Sequence, residues 1–218
     1  MAVNDMLAEM LRGARPDYGW LSEETEDGGD RLAADRVFII DPIDGTRSFM
    51  KGETTWAHSL AIAEHGEVIA AAIFLPMKDR LYSAGKGLGA SKNDAPIRAS
   101  RQTDLEGARM LAAKPSYDPT NWRGGKVPPV RRSYRPSLAY RLSLVAEGRY
   151  DAMLTLRKSW EWDIAAGDLI LREAGAVTSD RNGGPLRFNN PLPQVDGVVA
   201  AAPGLHGVLS RSLAFWPD

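Results

Sequence analysis

The run Asp41-Pro42-Ile43-Asp44-Gly45-Thr46 sets two carboxylates three positions apart, with a proline that fixes the backbone between them and a glycine that permits a tight turn after them. Carboxylates so spaced at the end of a strand can converge on one point outside the sheet edge. Hard oxygen donors of this kind suit Mg²⁺, which takes a few carboxylates together with water and substrate phosphate rather than a full protein cage. Gly45 lets a ligand approach the backbone, and the residues after it can open a helix whose free N–H groups face an anion. One end of the run therefore suits a cation and the other a phosphate. Asp, Pro and Gly are also common in plain solvated turns, so composition alone leaves both readings open. An aspartyl-phosphatase arrangement, with nucleophile and acid two residues apart, is disfavoured by the spacing of three and the intervening proline.

Other acids could complete such a site. Glu23 and Glu24 close a short strand upstream, and pairing of that strand with Val37–Ile40 would set Glu23 beside Asp41. Two solvated glutamates are the plain alternative. Asp163 falls at the expected start of a helix, where an acid is an ordinary cap. However, Ala165, Ala166 and Gly167 would let that helix pack very close to another element and hold Asp163 in one place. A rigid, buried carboxylate is costly unless something positive, such as a metal, stands opposite. His58, His65 and His206 have no metal-ligand spacing, and Trp160 and Trp162 read as packing residues. A lysine-bearing Gly-rich phosphate loop and a dinucleotide fingerprint are both absent.

These residues need elements to position them. A helix is expected over 4–12, a short strand over 18–22, a charged loop over 26–35, then the buried strand Val37–Ile40, apolar and mostly β-branched. Strands over 57–63 and 68–75 flank a hairpin signal, and 81–83 and 89–91 extend an antiparallel meander. Beyond residue 104 strands and helices alternate: strands over 108–112, 151–156, from 177 and over 198–202, and helices over 137–147, 162–174 and 204–213. Residues 115–136, rich in Pro, Gly and Arg, read as a long loop.

With 218 residues, 44% hydrophobic and 25% charged, the chain has the composition of a globular protein with a substantial core. A net charge of -1 gives no general pull toward nucleic acid or membrane. Without cysteine, disulfides, thiolate metal sites and cysteine nucleophiles are excluded. Neither a signal peptide nor an apolar run of membrane-spanning length is present, so a cytoplasmic protein is expected.

In this order, Ser22-Glu23-Glu24, Asp41 to Thr46, and Trp162-Asp163-Ile164-Ala165-Ala166-Gly167 followed by Glu173-Ala174-Gly175 resemble the inositol monophosphatase family. This is the lithium-sensitive, Mg²⁺-dependent phosphatase superfamily, which includes inositol monophosphatases, bisphosphate nucleotidases and fructose bisphosphatases. The resemblance runs from residue 1 to near residue 210. It implies an α+β (α/β) fold, a layered α-β-α-β-α sandwich with an antiparallel meander sheet in an N-terminal half (1–104) and an α/β C-terminal half (105–218). It also implies Glu23, Asp41, Asp44, Asp163 and the backbone carbonyl of Ile43 as ligands of two or three Mg²⁺ ions. Gly45 and Thr46 would hold the phosphate through their N–H groups, and Thr46, Glu23 and Asp44 would serve the attacking water. Ser137 and Asp163 would stand on the substrate side.

Family members usually carry a segment before the first match, with an N-terminal helix and an aspartate that pairs with the threonine matching Thr46. The present sequence is expected to lack both, with Asp5 past the place of that acid. Inositol phosphatases also carry a substrate-contacting glutamate that would fall at about Leu156-Arg157-Lys158, where no acid occurs. Arg123, Lys126, Arg131, Arg132 and Arg135 would suit a second phosphate, with Arg131 the chosen contact, or else form a solvated basic loop. The expected function is a Mg²⁺-dependent phosphomonoesterase acting on a small phosphorylated metabolite through metal-activated water. A 3'(2'),5'-bisphosphate nucleotidase acting on 3'-phosphoadenosine 5'-phosphate and a non-catalytic metal- and phosphate-binding relative are the alternatives. Neither nucleic acid nor membrane is an expected partner, and a homodimer is the assembly suggested by analogy.

Overall fold

The computed structural model describes residues 2–214. Helix α1 (Ala2–Ala14) leads to β1 (Gly19–Ser22), which lies parallel to β2 (Arg36–Asp44). After the short helix α2 (Thr46–Met50) come the antiparallel strands β3 (Ala57–Glu64), β4 (Glu67–Leu75), β5 (Arg80–Gly85), β6 (Gly89–Lys92) and β7 (Ala95–Pro96). They form one seven-stranded sheet in sequence order. Strand β3 alternates buried and half-buried residues, as a strand between two layers should. The β3–β4 hairpin turns at His65 and Gly66, both at positive φ, as a type I′ two-residue loop requires.

A second, mixed sheet contains β8 (Arg109–Ala112), β9 (Arg131–Ser133), β10 (Ala152–Trp160), β11 (Val177–Ser179) and β12 (Gln194–Ala201), in the order β11-β12-β10-β8-β9. Between the sheets lie α3 (Leu138–Ala146) and α4 (Ala165–Glu173), with α4 on the inner face of the first sheet and α3 against α4 and β10. On the far side α5 (Pro203–Ser212) lays Leu205 and Leu209 over Met110, Leu154 and Val199 of the second sheet. On the near side Leu11 of α1 borders an apolar groove with Phe38, Leu60 and Ile62. The expected α-β-α-β-α layering is observed.

Sandwiching has two consequences. All nine residues of α3 are buried, so no single inward face exists. The α3–α4 contact is also too close for any side chain at Gly167, where a Cβ would stand 2.4 Å from Leu142 Cδ1. Two boundaries differ from expectation. Strand β10 continues to Trp160, and the helix expected from Trp162 begins at Ala165, preceded by a 3₁₀ turn over Glu161–Asp163. The basic stretch 115–136 is not one open loop. It holds three short 3₁₀ turns and β9, because Tyr117 and Trp122 are drawn into the core beneath α5. Among the described residues, no helix is long and apolar enough to cross a membrane.

Candidate active site

In a regular strand, residues three apart point to opposite faces. The β2–β3 pairing avoids this, because Asp41 faces Ser59 while Asp44 faces Ala57, so β2 carries one more residue than its partner here. The bulge restores Asp44 to the face that Asp41 occupies, toward the interior of the sandwich. Pro42 is tolerated inside it because a bulge does not demand the missing N–H. The Pro42 carbonyl accepts a hydrogen bond from His58 Nδ1, Ile43 N donates to Asp41 Oδ1 (2.8 Å), and Thr46 Oγ1 donates to the Ile43 carbonyl (3.2 Å). Gly45 sits at φ 96°, in the left-handed region, and an added Cβ would lie 3.3 Å from the Thr55 carbonyl. Glycine is required there on both counts.

Asp44 is anchored across the molecule. Its Oδ2 accepts from Ser137 Oγ and from Ala139 N, both at 2.6 Å, at the N-terminus of α3, where Ser137 also caps Tyr140 N. Asp163 arrives on the 3₁₀ turn before α4. Ser59 Oγ donates to the Trp162 carbonyl (3.0 Å), and the fully buried Glu161 accepts from Asn189 N (2.6 Å), Asn190 N (2.9 Å) and Asn190 Nδ2 (2.7 Å). Oxygens of Asp41, Asp44 and Asp163 thereby gather within 4.8 Å of one another. Glu23 follows β1, its N–H bonded to the Ile40 carbonyl (3.2 Å), and its carboxyl meets Asp41 at the rim of the cluster.

The electrostatics of this cluster are adverse as it stands. Burial, then the charges of Asp44, Glu23 and Asp163, push the Asp41 carboxyl up to about 11. Burial raises Asp44 despite its hydrogen bonds from Ser137 and Ala139, and burial followed by the charges of Asp44 and Glu23 holds Asp163 well above the usual range. Loss of solvent likewise raises Glu23. Such a group ionises fully only with positive charge among the oxygens, and a donor set made of carboxylates fits a hard divalent cation.

Beside the cluster opens a cleft of about 740 Å³, with Gly45 and Thr46 on one wall and Arg47, Tyr134, Arg141, Arg157 and Arg181 among its lining residues. Two sequence-derived candidates lie elsewhere. Ser137 is fully buried with its hydroxyl spent on Asp44 and Tyr140, so it supports Asp44 rather than facing the cleft. Arg131 is exposed on β9, outside the cleft lining. The arginines that do line the cleft were missed, except that position 157 was noticed as lacking an acid. Arg141 is hidden in the apolar run of α3, and only the presence of an arginine in that run could have marked it.

A family model described as the inositol monophosphatase family matches residues 1–215. The sequence is 36% identical over 193 residues to an inositol-1-monophosphatase of Rhizobium meliloti, covering 82% of this chain and 69% of that protein. It is 33% identical over 221 residues to the Nus factor SuhB of Xylella fastidiosa, covering 95% and 78% respectively. Among solved structures, the Staphylococcus aureus SaIMPase-II bound to inositol monophosphate superposes with a TM-score of 0.83 at 26% identity, over 96% of this chain and 81% of that one.

Proposed function

The chain belongs to the inositol monophosphatase family, and from that premise we propose that it is a Mg²⁺-dependent phosphomonoesterase acting on a small phosphorylated metabolite. The observation that carries this reading is the convergence of Asp41, Asp44 and Asp163 beside Gly45 and Thr46. Glu23, Asp41, Asp44, Asp163 and the Ile43 carbonyl would hold two or three cations. When bound, these lower the pKa of a water and neutralise phosphate charge. The Gly45 and Thr46 N–H groups receive the phosphate, and the Thr46 hydroxyl orients the water, its contact with Ile43 O keeping it next to the cation ligands. No covalent phospho-enzyme is required. The site lies between an N-terminal half, 1–104, which supplies Glu23, Asp41 and Asp44, and a C-terminal half, 105–218, which supplies Asp163.

Phosphate release from inositol 1-phosphate and from 3'-phosphoadenosine 5'-phosphate, with and without Mg²⁺ and with Li⁺ added, tests the reading. Mg²⁺-dependent release that Li⁺ inhibits is expected. Binding of Mg²⁺ with no release from either ester would instead identify a non-catalytic metal binder.

A further inference from the structure

We propose that His58 is a positioning residue for the cation site. From the outer face of the first sheet its Nδ1–H fixes the Pro42–Ile43 peptide, and through that peptide the Asp41 carboxylate on the inner face. The proposal rests on the reading of Asp41 and its neighbours as cation ligands, and adds a residue that touches neither cation nor substrate.

The need for such a residue follows from the bulge. Asp41 faces Ser59 and Asp44 faces Ala57, so Pro42 and Ile43 together stand opposite His58 alone. A regular ladder holds each residue by its own backbone bonds, but Pro42 has no N–H to give and a bulge leaves its extra residue unpaired. The rotation of the 42–43 peptide must therefore be set by something other than the ladder.

His58 is placed to set it. Along β3 buried and half-buried residues alternate. Ser59 turns inward, where its Oγ meets the Trp162 carbonyl, so His58 turns to the opposite face. There its ring stands between Trp56, edge-on at 5.3 Å and 83°, and Phe74, stacked at 6.3 Å and 24°. Phe74 is also its cross-strand partner on β4. A carbonyl oxygen can only accept, so the contact of Nδ1 with the Pro42 carbonyl puts the ring hydrogen on Nδ1.

A trans peptide is a rigid plane with its carbonyl and N–H on opposite sides. Holding the Pro42 carbonyl on the outer side turns the Ile43 N–H inward, and that N–H donates to Asp41 Oδ1 at 2.8 Å. The next peptide is held separately, by Thr46 Oγ1 on the Ile43 carbonyl at 3.2 Å. His58 thus does for Asp41, through one peptide, what Ser137 and Ala139 do directly for Asp44. It limits the positions open to the carboxylate before a cation arrives, and partners one step removed from a metal commonly govern its affinity.

Mg²⁺ titration calorimetry and denaturant unfolding of the metal-free protein, applied to His58→Asn and His58→Phe, test this. Asn Nδ2 can take the place of the ring Nδ1 but gives up the stacking. Phe keeps a ring between Trp56 and Phe74 but gives up the donor. His58→Phe should bind Mg²⁺ on the order of 10-fold more weakly, with stability near that of the unaltered protein. His58→Asn should stay within about threefold in Mg²⁺ affinity while unfolding at lower denaturant. The two variants are then ordered oppositely by the two measurements, which a packing role alone would not produce. Unchanged Mg²⁺ affinity in His58→Phe, or affinity that falls with stability across both variants, overturns the proposal and leaves the phosphatase reading intact. Failure of the unaltered protein to bind Mg²⁺ overturns both.

Discussion

Asp41 and Asp151 are both carboxylates with almost no solvent contact, 1% and 5% exposed, yet their surroundings are opposite. At Asp151, where β8 and β10 run parallel, Arg109 donates through its backbone N (2.7 Å), Nε (3.0 Å) and Nη2 (2.9 Å). Burial pushes this acid up, but the Arg109 side chain and backbone hold it below the usual carboxylate range. At Asp41 the neighbours are other acids, and the carboxyl rises to about 11. Asp168 also has donors around it, Thr178 Oγ1 at 2.5 Å and Arg172 Nε at 3.0 Å, although burial still holds its carboxyl above the usual value. Burial alone therefore does not mark a site in this molecule. The mark is a buried charge whose neighbours share its sign, because folding would not retain that arrangement for stability.

Replacing one acid from each surrounding, Asp163 of the cluster and Asp151 beside Arg109, is the sharpest way to break this contrast. Asp163→Asn should lower Mg²⁺-dependent phosphate release by on the order of 100-fold or more, while the metal-free protein unfolds at the same or higher denaturant concentration. Asp151→Ala should do the reverse, costing about 1–3 kcal/mol in denaturant unfolding by stranding the Arg109 N–H, with kcat of the folded enzyme preserved. Matching stability losses in the two variants would erase the distinction.

A smaller effect lies in pH. In the cluster, native pKa values are raised, so the metal-free native state binds more protons than the unfolded chain between the ordinary carboxylate value and the raised ones, which reach about 11 at Asp41. Its stability therefore falls as pH rises through that window. Asp151 has the opposite sign and contributes stability that is lost only as pH falls below the ordinary value. From pH 5 to 9 the metal-free Tm should drop, and Mg²⁺ should flatten the slope. A rising or flat metal-free profile would show that the cluster is not strained.

Part of this arrangement was readable in the residues. The strand Val37–Ile40 and the turn after it carried their own signals, and a neighbouring strand was enough to bring Glu23 to Asp41. The small residues after Asp163 announced a close helix contact, which Gly167 makes with Leu142. The bulge that brings Asp41 and Asp44 onto one face was hidden, since it exists only in the register with β3. The late start of α4 was equally hidden, because the turn before it is held by Ser59 and by the Glu161–Asn190 contacts from distant segments. The order within 115–136 comes from Tyr117 and Trp122 packing beneath α5, which no local pattern records. Ser137 has the residue type of a substrate contact and the location of a support.

The hold of α3 on Asp44 spans 93 positions of sequence. A nascent chain that has emerged from the ribosome only through β7 would already own the Asp-Pro-Ile-Asp turn, but Asp44 would still lack its Ser137 and Ala139 donors. The carboxylate cluster must then wait for the later helix, so synthesis completes it in one late step rather than residue by residue.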